Sequence, residues 1–360
     1  MHEVVILGAG LAGMACARTL LRRGCRPLLI APGHDVANRG ETLSFRASPY
    51  LESLDWTGLL DAETAIACQG RYSVWGRAAL RRDTFHRESG WHIDRQRLEQ
   101  RMADSLDADG VERLSTEARQ LSRSPTRVVV DLANGSSIEA EFVVDCTGRS
   151  AVTAGSEAPL RRLDKLVACY GIFDLEDGAE AVPATLVEAV ATGWWYMSVM
   201  PRDRILLGFF TDSDLLPAGL RKDMHLWAHM ASQTSAVSAR LASLGIDVAT
   251  CAQLQFAPAS TVTTSKLIDH RIVRAGDAAS ALDPLGANGL ATALWSGIQA
   301  AESAMGLLAR NDTALRQYER QFLEGIASYL ATQSAIYASE HRFPDASFWR
   351  QRNGTSPEGI

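Results

Sequence analysis

Gly8-Ala9-Gly10-Leu11-Ala12-Gly13 follows the apolar run Val4 to Leu7 and opens a helical pattern. In that context three glycines at this spacing cradle a pyrophosphate. The first makes a tight turn, the second lets backbone N–H groups approach the phosphates, and the third lets helix and strand close up. The helix dipole favours the anion. Gly8, Gly10, Leu11, Ala12 and Gly13 are therefore candidate nucleotide contacts. An acid at the end of the second strand of such a unit holds a ribose hydroxyl. Here that strand ends Ile30-Ala31-Pro32, and the nearest acid is Asp35, which becomes the candidate. Far along the chain, Ile272 to Ala275 closes on Gly276-Asp277-Ala278-Ala279. The stretch Asp283-Pro284-Leu285-Gly286-Ala287-Asn288-Gly289 then starts a helix. Two nucleotide-contacting segments so far apart imply one extended ligand threaded through a domain, as FAD would be, rather than NAD on a single unit. Asp277 would accept from a ribityl hydroxyl, and the helix start at Gly289 would face the electron-rich end of a flavin. Asp283, Pro284, Gly286, Ala287 and Asn288 complete that candidate set.

Trp194, Trp195 and Tyr196 lie on a predicted strand, where alternate residues face opposite sides. One face would line a pocket, with core packing as the other reading of each residue. Glu41 and His92 are the candidates for guiding a proton, although His92 also reads as a structural histidine. No Ser/His/Asp or Cys/His nucleophile set is evident, which suits a cofactor that performs the hard step. His225 and His229 have the one-turn spacing of a zinc pair, but no acid follows His225 and no third ligand is evident. No metal is expected, and the helix that carries them would turn Trp227 to the core.

These groups need a scaffold of ordinary globular composition. The chain has 360 residues, 46 % hydrophobic and 22 % charged, which suits about two domains. A net charge of −6 offers no basic field for nucleic acid. Lys165, Lys222 and Lys266 are the lysines; every other basic residue is arginine. No window reaches the ~20 apolar residues of a membrane span, and the N-terminus runs straight into a strand without a basic leader. The six cysteines, without a CxxC pair, read as buried free thiols of a cytoplasmic protein.

The coarse pattern is a strand, a helix over 12–23 and a strand over 27–30. A hairpin turns at Asn134-Gly135, and a separate buried strand covers 142–145. The region 160–270 is strand-rich, with one helical stretch near 219–244. A long helix covers 289–309, and a final helix ends near Glu340 with an irregular tail behind it. The aromatic stripe Tyr318, Phe322, Ile326, Tyr329 and Ile336 would dock that helix on the core. The fold class is mixed α/β: a Rossmann-like FAD-binding domain from residues 1–70, 95–155 and 270–310, a β-rich substrate domain from 71–94 and 156–269, and a helical C-terminal segment over 311–360.

The glycine motif, Asp145-Cys146-Thr147-Gly148-Arg149 and Gly276-Asp277 together resemble FAD monooxygenases of the aromatic-hydroxylase type and their relatives, the flavin-dependent halogenases. Gly40-Glu41-Thr42-Leu43, Gly90-Trp91-His92-Ile93-Asp94-Arg95, Gly193-Trp194-Trp195-Tyr196 and Thr211-Asp212 extend the resemblance. The tail Tyr337 to Pro344, with Phe348-Trp349-Arg350, is similar to a narrower branch. That branch includes flavoproteins that oxidise a protein tryptophan during assembly of cysteine tryptophylquinone.

The resemblance implies that Arg95 contacts FAD, its other reading being a salt bridge with Asp94 or Glu99. It also implies that the 283–289 loop lies beside the isoalloxazine and that a flavin C4a-hydroperoxide carries oxygen to an aromatic ring, indole or tryptophan, free or in a peptide or protein. Dioxygen would be co-substrate, with NAD(P)H or a separate flavin reductase as the electron source. A halogenase would need an early lysine beside its substrate tunnel and a Glu-Ser pair in the loop. Residues 1–164 hold no lysine, Gly286-Ala287 stands in the loop, and arginine stays protonated and is a poor nucleophile. A flavin oxidase, an isoprenoid reductase and a non-catalytic flavin-binding assembly chaperone are the alternatives on the same fold.

Overall fold

A computed structural model describes residues 1–33, 40–84, 89–155, 159–176, 178–251 and 253–353. The strand His2–Leu7 is buried from Val4 onward. A central parallel strand is covered on both faces, so it reads as an unbroken apolar run. It lies between Leu28–Ala31 and Ser137–Asp145, both parallel to it, and Glu112–Ser115 and Ile272–Arg274 extend the sheet on either side. The helix Leu11–Arg22 packs against the long helix Gly289–Leu308 over one face. The two candidate nucleotide segments are thus neighbours in space.

The hairpin at Asn134-Gly135 forms, with Val128 opposite Ala140. Its second strand and the strand expected separately at 142–145 are one element, Ser137–Asp145. The first half pairs antiparallel with Val128–Leu132 and the second half parallel with His2–Leu7. One strand can do both because its two edges meet different partners.

A seven-stranded sheet forms the other large layer. Its order is Gln255–Pro258, Leu166–Asp174, Arg204–Asp212, Gly193–Met200, Ala184–Val190, Gly70–Val74 and Arg81–Thr84. The small sheet of Gly40–Leu43, Trp91–Asp94 and Ala65–Ala67 lies between the two layers. The single helical stretch expected near 219–244 is two helices, Met224–Ser232 and Ala236–Ser243. The break is held by the buried Glu188 carboxylate, which accepts from the backbone N–H groups of Ser235, Ala236 and Val237 at 2.6, 2.9 and 2.8 Å. A carboxylate satisfies the orphan donors of a helix start and complements its dipole. Trp227, Val237 and Leu241 then close over the back of the sheet.

The helix Thr313–Ala338 docks through its aromatic stripe as expected: Tyr318 and Phe322 are buried, and the Tyr318 hydroxyl donates to the Arg274 carbonyl at 2.9 Å. Behind it the tail is not wholly irregular, because Ser347–Asn353 forms a helix with Phe348 and Trp349 buried. Seven residues are too few to show a period. Tertiary anchors hold them instead: Trp349 Nε1 donates to the Val190 carbonyl at 2.8 Å, and Arg352 grips both oxygens of Asp212 at 2.8 Å. All six cysteines are free and buried. Burial pushes the thiols of Cys16, Cys146 and Cys169 up, which keeps them protonated. Among the described residues no helix is long and apolar enough to cross a membrane.

Replacing Glu188 with alanine leaves three helix-start N–H groups without their acceptor. Chemical denaturation should show a loss of about 2–3 kcal/mol with the fold retained.

Candidate active site

Where the two layers face each other they enclose a cavity of about 500 Å³, within the range of small-molecule sites. Its floor is made by Gly10, Leu11, Ala12, Gly148, Arg149, Gly276, Asp277 and the loop residues Pro284, Leu285, Gly286, Ala287 and Gly289. The expected glycines divide their labour. Gly8, with φ +98°, would put a Cβ 2.3 Å from the Cys146 carbonyl oxygen, and a Cβ on Gly13 would lie 1.9 Å from the Gly8 oxygen. Those two permit the close approach of chain segments. Gly10 faces the cavity, and a Cβ there would meet nothing within 4 Å. It is the N-cap of Leu11–Arg22, and no side chain caps that helix. The long helix also starts, at Gly289, without a side-chain cap. Two helix starts opening on one cavity favour an anionic or electron-rich ligand.

The opposite wall is the seven-stranded sheet. Ala168, Tyr170, Val187, Trp194, Tyr196, Leu206 and Phe210 line it, with Trp194 stacked on Phe210 at 3.9 Å and 6°. Trp195 belongs to the other face, as strand alternation requires. It packs on Phe209 and Trp227 in the rear core, 5.0 and 5.7 Å away. Its assignment to the reacting pocket is therefore corrected, while Trp194 and Tyr196 remain in the wall.

Polar side chains ring the seam between floor and wall. Arg95 spans Glu41 at 2.5 Å and Glu99 at 2.9 Å, so the expected bridge to Glu99 forms. The one to Asp94 does not: Asp94 caps the helix Arg95–Ala108 and pairs with Arg202 and Arg204 at 3.1 and 2.5 Å. Glu41 and Arg95 both line the cavity. Asp277 lies 3.7 Å from Arg149. The Tyr196 hydroxyl and Thr42 Oγ1 share a 2.7 Å hydrogen bond across the seam. His92 stands behind the wall rather than in it, its Nε2 bonded at 2.9 Å to Thr185 Oγ1, which does line the cavity. Burial, reinforced by the Arg240 charge, pushes the imidazole pKa down to about 4.

Asp283 is also displaced from its expected role. It is buried, caps its own turn through Leu285 N, and accepts from Tyr337 Oη at 2.7 Å and Gln333 Nε2 at 2.8 Å. Burial pushes its carboxyl pKa up. The Pro284 turn points the carboxylate away from the cavity toward the tail helix, so Asp283 positions the loop instead of lining it. Asn288 likewise stands outside the lining, and Asp35 lies outside the described residues.

Residues 59–359 match the family described as tryptophan halogenase. The chain belongs to that family. It is 24 % identical to LodB of Marinomonas mediterranea, named as an FAD-dependent oxidoreductase, over 99 % of this chain and 98 % of LodB. Among solved structures it resembles QhpG, a peptidyl tryptophan dihydroxylase essential for tryptophylquinone cofactor biogenesis. The TM-score is 0.79 at 23 % identity, over all of this chain and 80 % of that one. It also resembles CmlS, a flavin-dependent halogenase, with a TM-score of 0.84 at 20 % identity over 99 % of this chain and 68 % of that one. These likenesses establish the mixed α/β fold of this family for the chain.

Sequence reasoning missed Phe45, Cys68, Arg71, Thr185 and Phe210 on the cavity. The first four carry no local signal, but Phe210 lies opposite Trp194, a pairing that two adjacent apolar strands do suggest.

Two measurements separate these roles. Gly13→Ala should cost about 2–4 kcal/mol in denaturation, since backbone must move, whereas Gly10→Ala should keep stability and weaken only the ligand that crosses the floor. For His92, the folded pKa is depressed, so its contribution is whole above pH 6.5. It is lost at about 1.4 kcal/mol per pH unit as pH falls from 6.5 toward 4. His92→Phe should flatten that limb of the Tm against pH curve.

Proposed function

We propose that this chain is an FAD-dependent monooxygenase that hydroxylates an aromatic ring, an indole or tryptophan side chain carried in a peptide or protein, in the maturation of a quinone cofactor. The observation that carries this reading is a single cavity running from two uncapped helix starts to a stacked aromatic wall, with no lysine in its lining. The residues fit FAD. Gly10, Leu11 and Ala12 offer helix-start N–H groups to a pyrophosphate, Asp277 an acceptor for ribityl hydroxyls, and Gly286 to Gly289 a side-chain-poor shelf for a flat ring. Arg149 adds positive charge near Asp277.

Bound there, FAD reduced by NAD(P)H or by a separate flavin reductase would activate dioxygen and supply the oxygen atom. The chain's own residues do the rest. Trp194 and Phe210 present stacked faces that orient an electron-rich ring, and Ala168, Val187 and Leu206 exclude water beside it. Tyr196, tied to Thr42, and Arg95, held between two carboxylates, keep wall and floor in register. Neutral His92 fixes Thr185 Oγ1 at the wall as a hydroxyl that can hydrogen-bond the substrate.

The family match favours halogenation as the second reading. That chemistry calls for an amine to capture an electrophilic halogen. Lys165 pairs with Asp214 and Lys266 with Asp269, and neither these nor Lys222 lines the cavity. The resemblance of QhpG, which acts on peptidyl tryptophan, supports the hydroxylase.

The test supplies FAD-loaded protein with NAD(P)H, with and without a flavin reductase, in air with chloride and bromide, and follows tryptophan-containing peptides by mass. Gain of one or more oxygen atoms is expected; replacement of a hydrogen by a halogen would overturn the reading. Asp277→Ala should lose FAD on gel filtration. Trp194→Ala should keep FAD and lower turnover by about tenfold or more, while Trp195→Phe, on the opposite face, should leave turnover intact.

A further inference from the structure

The cavity face of the seven-stranded sheet continues past the aromatic wall. Trp194 is opposite Phe210, Tyr196 opposite Val187, Thr185 beside Arg71, and Arg71 opposite Asp83 on the strand Arg81–Thr84. Arg71 is thus at once a cavity residue and the neighbour of an edge. Among the described strands Arg81–Thr84 pairs with Gly70–Val74 alone, so its outer edge ends the sheet. Arg81, Arg82 and Thr84 are exposed, and the Arg71 and Arg81 side chains are 59 % and 61 % accessible.

The charge there is predominantly positive. Residues 70–84 hold Arg71, Arg77, Arg81 and Arg82 against a single carboxylate, Asp83, in a chain whose net charge is −6. Asp83 is shared between Arg81 at 2.9 Å and Arg71 at 3.8 Å, and Arg82 lies over the Tyr72 ring at 5.6 Å. Two large apolar side chains stand exposed: Leu80 on this hairpin, and Phe45, which lines the same cavity as Arg71. Exposed charge on an edge strand can serve only to repel other edges. An edge joined through Arg71 to a cavity that takes an aromatic ring can do more.

We propose that this edge docks the polypeptide substrate. An extended segment rich in Asp and Glu adds to Arg81–Thr84 as a further strand. Its carboxylates meet Arg71, Arg81 and Arg82, and an aromatic side chain passes over Arg71 into the cavity. Main-chain hydrogen bonds supply affinity and the arginines supply specificity. Neighbouring strands are about 4.8 Å apart, so the added strand runs about 10 Å from the strand bearing Arg71, which two or three extended residues span. This inference rests on the reading that the target ring is carried by a peptide or protein.

The test is fluorescence anisotropy on the full chain with a labelled peptide of about ten alternating Glu and Thr residues, lacking tryptophan so that capture is independent of turnover. Binding that weakens with salt is expected, together with no binding of the matching Lys–Thr peptide. R81E/R82E should lower affinity about tenfold or more, with R81Q/R82Q between. Both residues are exposed, so circular dichroism should be unchanged. A probe N-methylated at every residue keeps its charge but offers no backbone N–H on either edge and crowds both edges with methyl groups, so it should bind as weakly as R81E/R82E does. No capture of the acidic peptide, equal capture by R81E/R82E, or full capture of the N-methylated probe would each overturn the proposal. Capture without oxygen transfer to any tryptophan-bearing version would sink the reaction reading and leave this one standing.

Discussion

Close approach of backbone around Ala12 is the constraint on which the molecule depends. A Cβ on Gly297 would lie 2.2 Å from the Ala12 carbonyl oxygen, and one on Gly276 would lie 2.8 Å from the Ala12 Cβ. Gly13 is pressed on Gly8, and Gly8 on Cys146, in the same way. Four stretches of chain, from Gly8 to Gly13, the end of Ser137–Asp145, the Gly276 turn and the long helix, therefore meet with no side chain larger than those of Ala12 and Cys146 between them. Two helix starts open at that junction because their backbones can come so near. Interiors are already packed to crystal-like density, so added volume there has nowhere to go. The floor of the cavity is a by-product of this packing.

The charged groups that support the junction follow from the same geometry. Asp145 ends its strand fully buried and accepts from Thr147 and Thr153, two hydrogen bonds to each, at 2.5 to 3.1 Å. Arg274, on the adjoining strand, donates to the Thr153 hydroxyl and carbonyl. A buried charge is tolerated when its lone pairs are filled and an opposite charge stands near. The turn after Asp145 is held in this way, and Gly148 and Arg149 are carried to the cavity.

What the sequence makes legible is what is local. The glycine motif announces itself because turn, helix start and close packing fall within six residues. The wall at Trp194 to Tyr196 is legible as a strand but not as to which face matters, since alternation assigns two of three residues to one side without saying which. The partners across the sheet decide it: Trp227 claims Trp195, and the cavity receives the other two. Asp283 looks like a ligand contact because it neighbours a glycine-rich loop, and only the tail helix, far along the chain, shows why it turns away. Cys68, Arg71 and Thr185 belong to no motif. They reach the cavity through the pairing of Ala184–Val190 with Gly70–Val74, parallel strands widely separated in sequence. Parallel pairing leaves no short-range trace, because it needs no turn between the strands.

Floor and wall come from different layers, and what sets their spacing is polar. Thr42 meets Tyr196, Thr185 meets His92, Asp94 meets Arg202 and Arg204, and Trp194 Nε1 donates at 3.1 Å to Tyr337, which donates in turn to Asp283 beneath the loop. An apolar seam of the same size would hold the layers together with more net energy, since a neutral hydrogen bond contributes only about 1 kcal/mol and a buried ion pair is offset by its desolvation. It would also let them slide, because burial is non-directional. Hydrogen bonds fail within a few tenths of an ångström and some tens of degrees. Several such bonds around one cavity therefore fix the separation of Trp194 from the loop below it. The polar seam gives up stability for alignment, and alignment is what a site needs when one wall must present a ring to whatever rests on the other.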